Sequence, residues 1–466
     1  MTDLAKEQKL ALKLCDEGKN VFITGPGGTG KSLLIKILHK SYPTKEVRVC
    51  ALTGVAAELI GCHATTIHSW AGTGISKGTE KQIIKNINQK DKHKNWLKTD
   101  VLIVDEVSMM SKKYFELLDS IGRKIRGFNV PFGGIQVIFL GDFYQLPPVG
   151  DKSDPDTSKF CFESEIWKQT FNESVILTKI FRQKDREFTK ILNSLRKGKI
   201  SREGYDILMR RHIKNESLVY DEDTPIISPV NRVVKRINKE RMNKLSGTSY
   251  KYEYSFFKND DYDIETPYSI EKLAKNSLLA GLGPEREFEL KIGSKVMCVS
   301  NLILDGEKQL VNGSQGIVTN FSGGIPVVTY KNGLVKTMDY HIKMSDDIEG
   351  LGIKQIPLIL SWAITIHKSQ GITLDSAIVD AGSNIFADGQ MYVGLSRVKS
   401  LDGLILKDFN RFKILVNEKV KKFYANLKEE EKRKRKEREE REEREEREKE
   451  EREESTPTKD EFFKDC

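Results

Sequence analysis

The most informative group of residue types near the N-terminus is the stretch GPGGTGKS at positions 25–32. An apolar run at 20–24 precedes it, and the pattern KSLLIKILHKSY, with apolar residues at helical spacing, begins at its end. Glycines at this spacing let backbone N–H groups turn toward phosphate oxygens, and the following helix directs its N-terminus at the anion. Lys31 would bring a cation to the β- and γ-phosphates, and Ser32 would offer a hydroxyl to Mg²⁺. The predicted phosphate-binding residues are Gly25, Pro26, Gly27, Gly28, Thr29, Gly30, Lys31 and Ser32.

A pair of carboxylates follows the apolar run at 101–104. Asp105, at the end of this predicted strand, could hold Mg²⁺ directly or through water. Glu106 could orient and deprotonate an attacking water. Acidic pairs are common on protein surfaces, but together with an upstream phosphate loop this pair predicts nucleotide hydrolysis.

A third loop and two arginines extend this prediction. In GDFYQLPPV (141–149), Asp142 and Gln145 could sense the γ-phosphate or its water, and the two prolines stiffen the loop. Hydrolysis between two domains requires positive charge that arrives when they close. Arg182 in LTKIFRQ and Arg397 in MYVGLSRV are interpreted as such arginine fingers, although either one alone would more commonly be a surface or salt-bridge residue.

Two segments place polar side chains directly after apolar runs. The segment SWAITIHKSQGITL (361–374) includes His367, Lys368, Ser369 and Gln370, and Gly371 allows close approach of the backbone. The segment TTIHS (65–69) is similar. A single histidine in such a place is usually a hydrogen-bonded core residue. The repetition in two halves of the chain instead favours a common nucleic-acid track.

The elements that must position these residues follow an alternating pattern. Short apolar strands and amphipathic helices alternate through the first third of the chain, and again from near 175 with a resumption at 357–367. Such alternation predicts parallel sheets covered by helices, with ligands beyond the carboxyl ends of the strands. The Lys-rich residues 69–99 read as an insertion. Residues 290–340 read as short strands with Gly and Asn turns, which predicts a small β-barrel or sheet.

Composition limits the function classes. The chain has 466 residues, 38% hydrophobic and 31% charged, with a net charge of +9. Residues 428–466 together carry −4, so residues 1–427 carry +13. Such an excess attracts polyanions such as nucleic acid, and ordinary solubility charge is the alternative explanation. Residues 428–454 contain no apolar residue and predict a solvated charged helix.

Localisation is predicted from what the sequence lacks. It contains no apolar run of membrane-spanning length, no apolar signal core and no paired cysteines at metal-binding spacing. We therefore expect an intracellular protein, not secreted and without a membrane partner. The sequence leaves open whether it acts in the nucleus or at a cytoplasmic replication site.

The ordered set of motifs resembles one family. GPGGTGKS, TGVAA with TTIHS, DEVSM, GDFYQLPPV, FRQ, NGSQG, WAITIHKSQG and YVGLSR are together similar to the superfamily 1B DNA helicases. The closest resemblance is to the Pif-type (petite integration frequency) group, which is related to RecD. The match runs in order from about residue 4 to about residue 408. IGRKIRG followed by PFGGIQVIFLGD (121–142) resembles the stretch that separates the Pif-type group from RecD.

The resemblance implies an α/β fold with two RecA-like P-loop domains, an inserted wedge subdomain, an SH3-like β subdomain and, outside the family pattern, a charged C-terminal helix. The implied first RecA-like ATPase domain comprises residues 1–68 and 100–170, with the wedge at 69–99. The second comprises 171–250 and 350–427. The inserted region with the SH3-like subdomain spans 251–349. The low-complexity tail spans 428–466.

The resemblance also implies an activity: ATP-dependent translocation on single-stranded DNA in the 5′–3′ direction, with unwinding of duplex DNA. ATP and Mg²⁺ would be the cofactors, single-stranded and forked DNA the partners, and a monomer the acting form. Gln8 matches the glutamine that reads adenine. The implied DNA-binding residues are Thr53, Thr66, His68, Asn231, His367, Lys368 and Ser369. Relatives act in replication, recombination, repair and telomere maintenance, and nothing in the sequence selects among these roles.

Three alternatives stay open at the level of sequence. The chain could be a RecD-like subunit of a larger complex, although it contains no nuclease-like carboxylate cluster. It could act on RNA, since superfamily one includes RNA helicases. It could also be a nucleotide-gated DNA-binding protein that does not unwind.

Overall fold

The computed structural model describes residues 4–74, 78–89, 91–151, 153–183, 185–215, 218–219, 221, 224–259, 287–300, 302–303, 309–310, 313–344 and 351–454. The chain divides after Val416 into two units. In the described part of the chain, no helix is both long enough and apolar enough to cross a membrane.

The first unit begins with a six-stranded parallel sheet. Its strands are β1 (Val21–Thr24), β2 (Val47–Ala51), β3 (Thr65–Thr66), β4 (Val101–Asp105), β5 (Gln136–Gly141) and β6 (Glu173–Ile176). They lie in the order β3-β2-β4-β5-β1-β6, and every pairing is parallel. The carboxyl ends of β1, β4 and β5 are therefore neighbours at one edge, which is where the sequence places its glycines and carboxylates.

Helices cover both faces of this sheet. This part of the chain contains α1 (Lys6–Asp16), α2 (Lys31–Ser41), α3 (Gly54–Ile60), α4 (Ile67–Ala71), α5 (Glu80–Gln89), α6 (His93–Lys98), α7 (Lys112–Arg126) and α8 (Glu165–Thr170), with 3-10 turns at Val107–Met109, Pro131–Gly134, Pro155–Thr157 and Cys161–Glu163. One face is aliphatic, with Leu34, Ile103 and Val175 buried in a single cluster. The other is aromatic, with Trp167 packed on Phe22 and Phe139. Two dissimilar apolar layers thus fix the sheet from both sides.

Residues 69–99, the predicted wedge, are helical where the structure describes them, in the end of α4 and in α5 and α6. Its base is anchored by two tryptophans, Trp70 and Trp96, whose ring centroids lie 4.5 Å apart. The indole N–H of Trp96 donates to the Ala71 carbonyl at 3.1 Å, and Arg126 donates to the Trp96 carbonyl at 2.6 Å. The two tryptophans therefore pack the insertion internally, and the Arg126 hydrogen bond joins it to α7.

The chain next forms α9 (Arg186–Arg196), α10 (Arg202–Arg210), β7 (Ile226–Ser228) and α11 (Asn231–Lys244) before an antiparallel insertion. The insertion contains β8 (Tyr250–Glu253), β9 (Ser255–Lys258), β10 (Glu287–Leu290), β11 (Lys295–Cys298), β12 (Leu302–Ile303), β13 (Gln309–Leu310), β14 (Gln315–Ser322), β15 (Ile325–Tyr330), β16 (Val335–Thr337), β17 (His341–Met344), β18 (Leu351–Gln355) and β19 (Leu358–Leu360). Its largest sheet has the order β16-β15-β14-β11-β19 and its own apolar core. The expected small β structure is therefore confirmed for the described residues, while 260–286, 304–308 and 345–350 lie outside them.

A second parallel sheet completes the first unit. β20 (Ala363–Thr365), β21 (Ala377–Ala381) and β22 (Leu404–Phe409) join β7 in the order β20-β7-β21-β22, with α12 (Gln390–Leu395) and a 3-10 turn at Arg411–Lys413. The predicted α/β fold with two parallel sheets is confirmed.

The second unit contains α13 (Glu418–Glu454), a helix of 37 residues. Ion pairs at four-residue spacing join Arg433 to Glu437 at 3.5 Å and Lys436 to Glu440 at 3.4 Å. The predicted charged helix is therefore present. Residues 455–466 of the predicted tail lie outside the described residues.

The structure corrects two of the predicted domain limits. β6 pairs with β1, so the first domain extends past residue 170. β19 pairs with β11, so residues up to 360 belong with the inserted β region instead of the second parallel sheet. In each case composition changes at a different position from the hydrogen-bond pairing, and pairing between distant strands cannot be read from composition.

Candidate active site

The phosphate loop connects β1 to α2 at the edge of a cavity of about 510 Å³. Gly28 and Gly30 have φ of 84° and 85°, the left-handed region in which an L side chain is strained. A side chain at Gly28 would also meet the Arg182 Cβ at 2.5 Å. The predicted residues that line the cavity are Gln8, Gly27, Gly28, Gly30, Lys31, Ser32, Asp105, Glu106, Gln145, Arg182, Gly371 and Arg397.

The other three loop residues support this geometry. The carbonyls of Gly25 and Pro26 accept hydrogen bonds from Lys31 Nζ at 2.7 and 3.1 Å. The Thr29 hydroxyl donates to the Pro26 carbonyl at 3.0 Å. Gln8 is buried, and its amide donates to the Thr29 carbonyl at 3.2 Å. Gln8 therefore lies against the phosphate loop, and its role in reading adenine stays a prediction.

Lys31 is the central cation of the cavity. Burial lowers its pKa, and the charges of Asp142, Glu106 and Asp105 oppose that shift. A desolvated ammonium has a high affinity for an anion, because water no longer competes for its three N–H donors. Its environment is suited to a polyphosphate.

The two predicted acidic residues lie side by side at the end of β4. Burial and the neighbouring Glu106 charge raise the pKa of Asp105 to about 7. Glu106 has φ of 55°, in the left-handed region, and its N–H donates to Asp105 Oδ1 at 2.8 Å. A non-glycine residue held in that region is strained, and such strain concentrates at functional positions.

A divalent cation suits this pair. A buried carboxylate beside a second carboxylate is unfavourable unless a cation balances the charge, and the raised pKa of Asp105 expresses that cost. Asp105 and Ser32 both line the cavity, so the chain supplies a carboxylate and a hydroxyl, the oxygen ligands that Mg²⁺ prefers.

The loop after β5 is held from the second half of the chain. Both oxygens of Asp142 accept hydrogen bonds from Arg196 on α9, at 2.8 and 2.7 Å, and Asp142 is fully buried. The Arg196 guanidinium also lies over the Tyr144 ring, 4.5 Å from its centroid. Gln145 lines the cavity as predicted, but the Asp142 carboxylate is occupied by Arg196. We therefore correct the expectation that Asp142 senses phosphate: its side chain positions the loop.

Arg182 and Arg397 meet at the phosphate loop. From an ideal Cβ on Gly27, Arg182 Nη1 would be 3.6 Å away and Arg397 Nη2 3.7 Å away. Burial and the proximity of Arg182 lower the pKa of Arg397 to about 9, and burial also lowers the pKa of Arg182. Arg182 Nη1 is buried without a hydrogen-bond partner among the residues described. Two adjacent buried guanidiniums and an unsatisfied donor form a site that an anion would stabilise.

Tyr392 and Phe181 were not singled out from the sequence, and Gln370 was named there without a partner in the site. The Tyr392 hydroxyl accepts the Gly27 N–H at 2.9 Å, and the Gln370 amide donates to Glu106 Oε2 at 2.9 Å. Phe181 adds a half-exposed aromatic ring to the cavity wall. These residues lie inside motifs that sequence reasoning quoted, but only the packing of the two sheets reveals their partners.

Three predicted DNA-binding residues belong to the first half. The Thr53 and Thr66 hydroxyls cap α3 and α4, accepting the N–H groups of Ala56 and Ser69, each at 3.2 Å. His68 stacks on Tyr114, with centroids 4.3 Å apart and planes 11° from parallel. His68 and Tyr114 line a cavity of about 550 Å³.

The second half contributes the other four. Asn231 at the start of α11 and Lys368 after β20 line one cavity of about 440 Å³, together with Lys235 and Lys239. His367 is exposed. The structure thus groups Asn231 and Lys368 in one groove that also includes Glu287 and Glu289, and the DNA-binding role of the two residues stays a prediction.

Ser369 needs a correction. Its side chain is fully buried, and its hydroxyl donates to the Ile366 carbonyl at 2.8 Å. A buried hydroxyl of this kind cannot reach a DNA strand. Its carbonyl instead accepts a long hydrogen bond from Arg397 Nη1 at 3.5 Å, so Ser369 helps to position that arginine.

Comparison with known proteins matches this arrangement to one family. The family model for PIF1-like helicases matches residues 3–205, and the model for the 2B domain of DNA helicase Pif1 matches residues 274–321. The crystal structure of Pif1 helicase from Candida albicans is 33% identical, with a TM-score of 0.75, and the match covers 92% of this chain and 100% of that one. The chain belongs to the PIF1-like helicase family.

Two further comparisons are informative. The ATP-dependent DNA helicase PIF1 of Danio rerio is 35% identical over 435 residues, which is 92% of this chain and 64% of the relative's length. The chain therefore spans less than two thirds of that curated relative. Pif1 helicase from Bacteroides in complex with ADP-AlF3 and ssDNA is 29% identical with a TM-score of 0.65, and the match covers 92% of this chain and 97% of that one.

Proposed function

We propose that this chain is an ATP-dependent DNA helicase that translocates on single-stranded DNA in the 5′–3′ direction and unwinds duplex DNA. The observation that carries the proposal is the composition of the 510 Å³ cavity. The first sheet domain contributes Lys31, Asp105 and Glu106, and the second half contributes Arg397. A site built from both halves links nucleotide hydrolysis to their relative movement.

The roles of the residues follow from their surroundings. Lys31 and the loop N–H groups bind the phosphates of ATP, and Glu106 orients and deprotonates the attacking water. Arg182 and Arg397 stabilise the negative charge that develops during transfer. Bound Mg²⁺, held by Ser32 and Asp105, would neutralise phosphate charge. Gln370 holds one oxygen of Glu106 at 2.9 Å and leaves the carboxylate oriented for the water.

DNA binding is proposed along the exposed side of both halves. The relative from Bacteroides was solved with ADP-AlF3 and ssDNA, which supports joint binding of a nucleotide and a single strand in this family. His68 beside Tyr114 offers aromatic faces to bases, and Lys368 with Lys235 offers charge to the backbone. The helical region 69–99 would then act as the wedge at forked DNA. A role in replication, recombination, repair or telomere maintenance is proposed on family membership alone, as is action as a monomer.

The proposal is tested by ATP hydrolysis with and without single-stranded DNA. Lys31→Ala and Glu106→Gln should each lower DNA-stimulated hydrolysis by about 100-fold or more, because each removes a group that acts on the reacting phosphate or water. DNA affinity should change little. Lys36→Ala, on the exposed side of the same helix α2, is the matched control and should hydrolyse ATP normally.

The outcomes separate the alternatives. Full hydrolysis by Glu106→Gln would contradict the assigned mechanism. Stronger stimulation by single-stranded RNA than by DNA would favour an RNA helicase. DNA-stimulated hydrolysis without strand separation would favour a nucleotide-gated DNA-binding protein, and co-purification in a larger assembly would favour a RecD-like subunit.

A further inference from the structure

Helix α12 brings the second half of the chain close to the phosphate loop. Gly389, just before the helix, packs so tightly that a Cβ there would lie 2.5 Å from the carbonyl oxygens of both Tyr144 and Gln145. This contact docks α12 on the loop that follows β5. Tyr392 lies on this helix and Arg397 lies two residues after its end, and Arg397 lines the 510 Å³ cavity.

The Tyr392 hydroxyl contacts the phosphate loop. It accepts the N–H of Gly27 at 2.9 Å. An ideal Cβ on Gly27 would lie 3.6 Å from the hydroxyl, 3.6 Å from Arg182 Nη1 and 3.7 Å from Arg397 Nη2. The hydroxyl is therefore grouped with the two arginines around one residue of the phosphate loop.

The hydroxyl also retains a proton that it can donate. A tyrosine hydroxyl offers one donor and can accept at the same time. Burial, followed by the nearby Asp142 charge, raises the pKa of Tyr392, so the group stays protonated at physiological pH. With its oxygen engaged by Gly27 and two guanidiniums nearby, its O–H is best satisfied by an anionic acceptor.

We propose that Tyr392 binds the terminal phosphoryl group of a nucleoside triphosphate, donating its hydroxyl proton to a phosphoryl oxygen while it accepts the Gly27 N–H. This inference rests on the proposed function and adds a third group from the second half to the two arginines. The same hydroxyl then joins the loop, the phosphate and α12, so that loss of the terminal phosphate weakens the contact between the halves.

The proposal predicts discrimination between nucleotides. A donor grouped with Arg182 and Arg397 contacts the terminal phosphate of a triphosphate, and a diphosphate lacks that group. Tyr392→Phe keeps the ring and its packing and removes only the hydroxyl. It should weaken the affinity for a non-hydrolysable ATP analogue with an imido β–γ bridge by about tenfold, the effect of losing one hydrogen bond to a charged acceptor.

The experiment is a titration of both proteins with the imido analogue and with ADP, each in the presence of Mg²⁺. Under the proposal, ADP affinity changes by less than about twofold, which also verifies that the variant is folded. Tyr252→Phe is the matched control, because it removes a buried hydroxyl that donates to the Gly324 carbonyl at 2.6 Å in the antiparallel insertion. It should alter neither affinity.

The failures are distinguishable. Unchanged affinity for the imido analogue in Tyr392→Phe overturns this inference and leaves the proposed function intact. Equal weakening of both nucleotides also overturns it, because a distorted loop would produce that result. Failure of the unmodified protein to bind either nucleotide overturns the proposed function itself.

Discussion

At the scale of single residues, burial of the charged groups around Lys31 destabilises the empty site and suits it to bind a charged ligand. Lys31, Asp105 and Glu106 are brought together at the ends of β1 and β4. Burial shifts the pKa of Lys31 downward and that of Asp105 upward. Both shifts show that burial destabilises the charged forms. A bound metal–nucleotide complex would offset this loss of stability, because it supplies the opposite charges.

The raised pKa of Asp105 predicts a pH-dependent stability. Its folded pKa of about 7 exceeds the ordinary value of 3.8, so between these values the folded state retains a proton that the unfolded state releases. The free energy of unfolding therefore falls as pH rises from about 4 to about 7. Asp105→Asn should remove this loss, so that the variant is more stable than the unmodified protein near pH 7 by a few kcal/mol at most.

Urea unfolding at pH 5 and pH 7.5, without divalent cations, measures this effect. Asp206→Asn, at an exposed position on α10, serves as the control and should keep the original pH dependence. Identical pH dependence in Asp105→Asn and the unmodified protein would contradict the burial argument.

Residue types and spacing were sufficient to predict the groups on the first half of the site, but not their partners. GPGGTGKS and the acidic pair can be recognised from the sequence because each consists of adjacent residues. Their hydrogen-bond partners lie far away in the chain: 54 residues separate Asp142 from Arg196, 365 separate Gly27 from Tyr392, and 264 separate Glu106 from Gln370. Such pairings depend on how two sheets pack, which no local pattern encodes.

At the scale of elements, the same limit applies to boundaries. Strand and helix types followed from periodicity, and α2 and β4 lie where the sequence predicts them. β6 and β19 were assigned to the wrong sheets, because a short apolar run does not specify which neighbour it pairs with. Element type is a local property, whereas sheet membership is a property of the whole fold.

The docking of α12 gives an element-scale prediction. Gly389→Ala would place a Cβ 2.5 Å from the carbonyl oxygens of Tyr144 and Gln145, so the helix must move away from the loop. Because Tyr392 and Arg397 move with it, we expect the rate of ATP hydrolysis to fall by about tenfold or more, and stability to fall by about 1–3 kcal/mol.

The matched control is Gly333→Ala. Gly333 has φ of 80°, close to the 73° of Gly389, but nothing lies within 4 Å of its added Cβ. It carries the same backbone strain without the clash, so it should keep normal hydrolysis. Equal hydrolysis rates in the two variants would refute the docking role of Gly389.

At the scale of the whole molecule, charge is distributed unevenly. The net charge of +9 combines +13 over residues 1–427 with −4 over 428–466. The basic excess suits a sequence-tolerant grip on a DNA backbone, which should weaken steeply as salt rises. The helix Glu418–Glu454 follows the last of the family motifs, which end near residue 408. The match to the Candida albicans Pif1 structure covers 92% of the chain.

The central claim is directional, ATP-driven unwinding, and strand displacement tests it most directly. Duplexes that carry a single-stranded tail at either the 5′ or the 3′ side would be incubated with the protein, ATP and Mg²⁺, with Lys31→Ala as the inactive control. We predict displacement from the 5′-tailed duplex only, and none by Lys31→Ala. Displacement only from the 3′-tailed duplex, or no displacement from either, would contradict the proposal.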